Sequence, residues 1–337
     1  MDKSSPFPVG KLPAGLLARL LAGLPGHPRL AVGPRVGEDA AVIDMGDRYL
    51  VAKTDPITFV KERIGWYAVH VNANDIACMG AAPAWFLATL LLPENRTDEK
   101  MVEAIWSDIR EACQNLDVIL CGGHTEISSG LTRPIVCGQM LGEVEKNGLI
   151  RGDGAREGDV VLLTRAVPVE GTAILANIKR DMLVAALGGE LVERASRYLD
   201  TPGLSVVGQA LAGAGTGFVR AMHDPTEGGL ATGIHELAGA AGLGARVDED
   251  SIPLAEEGGA MCRELGLDPL GVITSGALLL AVAPEGEDVV RSALEGTGAL
   301  GARIGRLTAP ESGVMLLRNG EETPLPRYDS DEIGKIF

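Results

Sequence analysis

Val71-Asn72-Ala73-Asn74-Asp75-Ile76-Ala77-Cys78-Met79-Gly80-Ala81 is the stretch on which the reading of this 337-residue chain turns. It predicts the end of a helix that begins near Ile64, with Gly80 as the C-terminal stop. Asn72 and Asp75 are three residues apart and so share one face. Ala68, Ala73, Ala77 and Ala81 keep the other surfaces slim enough for close packing. Alone, the segment reads as an exposed helix end with solvated polar groups. The other Asp- and Gly-bearing segments change that reading.

Upstream, Val36-Gly37-Glu38-Asp39-Ala40-Ala41-Val42-Ile43-Asp44 predicts a Gly-acidic turn running into a strand. Asp44-Met45-Gly46-Asp47 predicts a hairpin turn, and Tyr49 to Pro56 the returning strand. Asp39 precedes one strand and Asp55 ends the next, so a hairpin puts both at the same end of a sheet. Lys11 to Gly23 carries a leucine stripe at helical spacing, and residues 1–10 read as a loose leader. Downstream come a continuous apolar strand (Ala84 to Leu92) and an amphipathic helix from Asp98 to Asn115 with Thr97 available as its cap. A short strand (Val118 to Cys121) follows, then a Gly122-Gly123-His124-Thr125 turn, then a strand from Pro134 to Val144.

Turn clusters at Asn147-Gly148 and Arg151 to Gly154 place a domain boundary near 152–158. The chain divides into an N-terminal helix and leader (1–35), a first domain (36–152) and a second domain (153–337). The second half predicts a strand from Asp159 to Thr164 and helices over Thr172 to Lys179, Met182 to Tyr198 and Ser205 to Ala212. Next comes Met222-His223-Asp224-Pro225-Thr226-Glu227-Gly228-Gly229-Leu230, which leads into a helix through Ala241. Strands at 245–248, 277–283 and 313–317 complete a second α/β unit. The fold class is α/β (α+β) in two domains.

The bulk numbers narrow the function. A formal charge of −16 argues against nucleic acid or an anionic membrane as the main partner, whereas nucleotide phosphates remain accessible through Mg²⁺. No targeting or spanning segment stands out: Leu12 to Leu24 is too short and is interrupted by Arg19. The five cysteines, at 78, 113, 121, 137 and 262, contain no C-x-x-C pair and read as free thiols of a reducing, cytoplasmic compartment.

Gly122-Gly123-His124-Thr125 offers backbone N–H groups and a hydroxyl of the kind that cradle phosphate. It is neither a Walker A sequence nor a dinucleotide fingerprint. Asp224, read in isolation, is a helix cap or Asx turn. His124, His223 and His235 do not show zinc spacing. Cys78 and Cys121 read as inert buried thiols. In combination, four separated Asp-bearing turns (Asp39, Asp55, Asp75, Asp224) and the Gly-Gly-His-Thr segment suggest hard-cation chemistry with a nucleoside triphosphate.

Five motifs in fixed order carry a family resemblance: Gly-Glu-Asp-Ala-Ala (37–41), Lys-Thr-Asp-Pro (53–56), Asn-Ala-Asn-Asp-Ile-Ala (72–77), Gly-Gly-His-Thr (122–125) and Asp-Pro-Thr-Glu-Gly-Gly-Leu (224–230). The chain resembles the aminoimidazole-ribonucleotide-synthetase-like superfamily, and within it the HypE-like hydrogenase-maturation proteins. The resemblance implies an N-terminal α/β domain that dimerises through its strands, with a C-terminal α/β domain beside it. It implies ATP and Mg²⁺ as cofactors, with Asp39, Asp55, Asp75 and Asp224 on the metal. Asn72, Gly122, Gly123, Thr125 and Lys53 would lie at the nucleotide, and Asp75 and His124 would be catalytic. The implied chemistry is transfer of the γ-phosphoryl group to an amide-type oxygen of a small molecule or protein terminus, in a homodimer that works with a maturation partner protein. The chain departs from the HypE pattern at Asp331-Glu332-Ile333-Gly334-Lys335-Ile336-Phe337, which has no cysteine after Cys262. The expectation is therefore ATP chemistry without a thiol carrier role. A thiamine-monophosphate-kinase-like activity and a non-catalytic ATP-binding scaffold are the alternatives.

Overall fold

The computed structural model describes residues 7, 12–35, 38–58, 60 and 62–336. Most of the predicted leader, the helix start at Lys11, the Val36-Gly37 part of the first motif and Phe337 lie outside the described residues. Six strands form the first sheet: β1 (Leu30–Val32), β2 (Ala41–Asp44), β3 (Arg48–Ile57), β4 (Ala82–Pro93), β5 (Ile119–Ser128) and β6 (Ile135–Glu145). They run in the order β1-β2-β3-β6-β4-β5. The β2–β3 hairpin pairs Ala41 with Ala52, so Asp39 lies level with the end of β3, as the hairpin geometry requires.

Helices α1 (Ala14–Leu21), α2 (Ile64–Cys78) and α3 (Glu99–Asn115) accompany this sheet. Helix α2 stops where Gly80 takes φ +75°, a left-handed conformation that glycine adopts without steric cost. The solvated-end reading of its polar face is wrong. Every residue of α2 except Val71 is buried, including Asn72, Asn74 and Asp75. The sheet, α3 and the second half of the chain cover it on different sides. Most of its apolar residues join the first core, whereas Ala77 and Cys78 pack with Val160, Val206 and Met222 of the second half. The slim alanine surfaces therefore serve to bury a helix on all sides, at the seam between the two sheets.

Two local readings change. The cap of α3 is Asp98, whose carboxylate accepts from Met101 N at 2.8 Å, while the Thr97 hydroxyl donates to Pro93 O. The Gly-Gly-His-Thr segment is not a turn. It is the middle of β5, paired in parallel with β4 from Trp85↔Ile119 to Pro93↔Ser128. Gly123 makes this possible, because a Cβ there would collide with the Ala88 carbonyl.

The second sheet has the order β13-β12-β9-β11-β7-β10-β8. Its strands are β7 (Val160–Leu163), β8 (Val219–His223), β9 (Gly244–Asp248), β10 (Leu279–Val282), β11 (Ala302–Thr308), β12 (Val314–Arg318) and β13 (Glu321–Pro324). The accompanying helices are α4 (Glu170–Ile178), α5 (Arg180–Leu187), α6 (Gly189–Ser196), α7 (Val207–Ala214), α8 (Gly229–Ala240), α9 (Glu256–Leu265) and α10 (Glu287–Glu295). The helix expected from Met182 to Tyr198 is two helices, broken at Gly188 with φ +90°. Strand β11 escaped the sequence reading because Gly305 and the register shift between Arg303 and Gly305 disturb its alternation. Among the described residues, no helix is long and apolar enough to cross a membrane.

Candidate active site

Three elements meet at the C-terminal half of α2. Strand β3 brings Lys53 and Asp55, the segment before β2 brings Asp39, and the end of β8 brings His223 and Asp224. Lys53 Nζ lies 3.1 Å from Asp75 Oδ2 and 3.7 Å from Asp55 Oδ2. Burial opposes the Lys53 charge, but the carboxylates of Asp75, Asp55 and Asp39 outweigh it and hold the ammonium protonated. Burial pushes the Asp75 carboxyl up; Lys53 pulls it back, and Asp224, Asp39 and Asp55 add to the rise. One cation faces more carboxylate than it can neutralise.

Asp224 is 3% exposed. The cap reading fails for it: the N-cap of α8 is Gly228, with no side-chain cap hydrogen bond. Asp224 instead accepts a 3.6 Å hydrogen bond from the Cys78 thiol. Burial and Asp39 raise its carboxyl to about 7, against the opposing pull of His223 and Lys53. Burial and the same acidic group raise the Cys78 thiol, so this cysteine is a donor to the cluster and a poor nucleophile.

His223 was not among the expected site residues. Its Nδ1 faces Asp39 Oδ2 at 3.6 Å and its Nε2 is 2.9 Å from Glu236 Oε2 on α8. Burial works against its charge, but Asp39 and Glu236 hold it well above the usual imidazole range. Ligand atoms of Asp39, His223 and Asp224 all fall within 4.8 Å of one another. The sequence signal was adjacency to Asp224, which zinc-type spacing rules do not score.

Asn72 donates Nδ2 to Ala68 O at 2.8 Å and to Asp55 O at 3.3 Å, fastening α2 to β3. Its Oδ1, Asp75 Oδ2 and Asp224 Oδ2 are buried without hydrogen-bond partners. Lys53 sits beside Asp75 Oδ2 at ion-pair distance but outside hydrogen-bond geometry. Buried oxygens left unpaired are costly in the absence of a ligand. An oxygen-rich, over-acidic cluster of this kind fits a hard divalent cation such as Mg²⁺.

The structure does not bring Gly122, Gly123, His124 and Thr125 to this cluster within one chain. Asp55, Gly138, Ala88 and Gly123 form one row across β3, β6, β4 and β5. Three strand spacings of about 4.8 Å separate its ends by roughly 14 Å. His124 is exposed and contacts Glu126 at 3.2 Å.

A two-sheet α/β chain with a buried lysine–carboxylate cluster at the seam is the class that this geometry defines. The family model described as AIR synthase related protein, N-terminal domain, matches residues 37–144, and that of the C-terminal domain matches 156–317. The chain belongs to the AIR synthase related protein family. It is 32% identical over 289 residues to a carbamoyl dehydratase HypE of Rhizobium leguminosarum bv. viciae, covering 82% of this chain and 79% of that one. A solved structure of hydrogenase maturation protein HypE in complex with ATP is similar at TM-score 0.68 and 25% identity, over 89% of this chain and 90% of that one. The HypE–HypF complex structure matches at TM-score 0.71 and 22% identity, over 87% of this chain and 94% of the other, and speaks for the fold.

Proposed function

We propose that this chain is an ATP-dependent enzyme that transfers the γ-phosphoryl group to the oxygen of a carboxamide-type substrate, in the manner of the HypE proteins it resembles. The observation that carries this reading is the cluster of Asp39, Asp55, Asp75 and Asp224 around one lysine, with Asp75 and Asp224 buried and with buried oxygens of Asn72 and Asp224 lacking any hydrogen-bond partner. Phosphoryl transfer asks a protein for positioning and charge stabilisation more than for a covalent nucleophile, and the cluster offers both. Mg²⁺ held by these carboxylates would neutralise phosphate charge. Lys53 would contribute a fixed positive charge at the phosphates, and Asn72 would hold the α2–β3 junction rigid beneath them. Gly122, Gly123 and Thr125 would contact the nucleotide, and His124 the phosphate or substrate, in the assembled homodimer.

An amide oxygen that accepts the phosphoryl group becomes a phosphate leaving group; loss of the two amide protons then gives a nitrile, ADP and inorganic phosphate. The substrate is a small molecule or a protein terminus, and a maturation partner protein works with the chain. The domains 36–152 and 153–337, homodimeric assembly and a cytoplasmic location complete the proposal.

The test uses an ¹⁸O-labelled carboxamide: a synthetic carbamoylated peptide supplied with ATP and Mg²⁺. Label appearing in inorganic phosphate supports O-phosphorylation. ADP formation with all label retained in the amide contradicts it.

A further inference from the structure

We infer that Asp39, His223 and Asp224 form a mixed nitrogen–oxygen site that binds a first-row divalent transition ion through the His223 imidazole, with Mn²⁺ as its EPR-active probe. The inference rests on the proposed reading that Asp39 and Asp224 are metal ligands, and adds to it the nitrogen ligand and the class of ion. Three observations meet here. The three donor atoms lie within 4.8 Å of one another. Asp224 is 3% exposed, and its Oδ2 is buried with no hydrogen-bond partner. His223 is oriented as metal-binding histidines are: Nε2 lies 2.9 Å from Glu236 Oε2, which leaves Nδ1 as the inward atom.

The Nδ1 to Asp39 Oδ2 separation is 3.6 Å, longer than a well-formed hydrogen bond. Two ligands held about 2.1 Å from one ion are separated by no more than about 4.2 Å, so the pair is spaced to share one. Carboxylates alone suit Mg²⁺ and Mn²⁺ alike, whereas an added imidazole nitrogen shifts the preference from Mg²⁺ to first-row transition ions. Glu236, in the second half of α8, holds the ring and is a positioning residue.

The experiment adds Mn²⁺ to the full chain, with and without ATP, and records pulsed EPR for nitrogen coupled to the ion, using protein grown with ¹⁴N- or ¹⁵N-histidine. The expected result is an imidazole nitrogen coupling in wild type that changes with the isotope and disappears in His223→Gln. Glu236→Gln keeps the coupling but weakens Mn²⁺ binding by about tenfold or more, in line with the loss of a supporting carboxylate. Wild-type protein that binds Mn²⁺ without a histidine nitrogen coupling overturns the inference, as does a coupling that persists in His223→Gln. Both outcomes are independent of whether ATP binds, which is read separately by calorimetry, so failure of this site and failure of the ATP reading are distinguishable. If His223→Gln does not fold, the isotope comparison and Glu236→Gln decide between the two results.

Discussion

Lys53 shares its charge among three carboxylates, and removing it isolates the most buried of them. Lys53→Met should cost on the order of 3 kcal/mol, because breaking a buried ion pair leaves an uncompensated charge. Adding Asp75→Asn to that variant should recover part of the loss, which a thermal-denaturation double-mutant cycle measures. A second prediction concerns Glu170, at the start of α4. Burial raises its carboxyl to about 7, partly opposed by Ser275. A folded-state pKa above the unfolded value means that the native state binds the extra proton. Stability is then highest below the unfolded pKa and declines as pH rises from about 4.5 towards 7. Glu170→Gln should flatten that decline and raise stability at pH 8 by on the order of 3 kcal/mol, the equivalent of the shift. Equal Tm-versus-pH slopes in the two proteins would show that this carboxyl is not the source.

Helix α2 and strand β5 show what the sequence could and could not convey about the elements. The end of α2, its polar face and its alanine spacing were all legible, because local propensity and the Gly80 stop act within a few residues. Its burial was not, since the covering groups come from β3, β6, α3 and, more than a hundred positions away, α7 and β8. Asn74 illustrates this: its Nδ2 donates to Leu204 O and its Oδ1 accepts from Val206 N, both at 2.9 Å. Those bonds tie the helix to the segment before α7. Asn74→Ala should lower stability by about 2 kcal/mol through two unpaired backbone groups, with α2 losing amide-exchange protection together with residues 204–206. In β5, glycines that signal a turn locally were kept in a strand by a cross-strand fit invisible to local rules. Gly123→Ala should therefore disrupt β4–β5 pairing, seen as loss of exchange protection along β5. For the cluster itself, the separated aspartates were readable as motifs, whereas His223 and Glu236 became visible only when β8 and α8 were placed against Asp39.

On the scale of the whole molecule, β5 is the outer strand of the first sheet, and it exposes Ile119 and Ile127 at 61% and 58%. An exposed apolar edge strand invites pairing with another chain. If the proposed homodimer forms there, Ile119→Asp with Ile127→Asp should sediment as a monomer at micromolar concentration, while the parent sediments as a dimer. The central claim is that the seam between the two sheets holds a metal–nucleotide complex on Asp75 and its neighbours. Calorimetric titration of ATP, with and without Mg²⁺, into the parent chain and into folded Asp75→Asn tests it most directly. The account predicts Mg²⁺-dependent binding in the parent that is lost in Asp75→Asn. Nucleotide affinity that is indifferent to Mg²⁺, or equal in the two proteins, would contradict it.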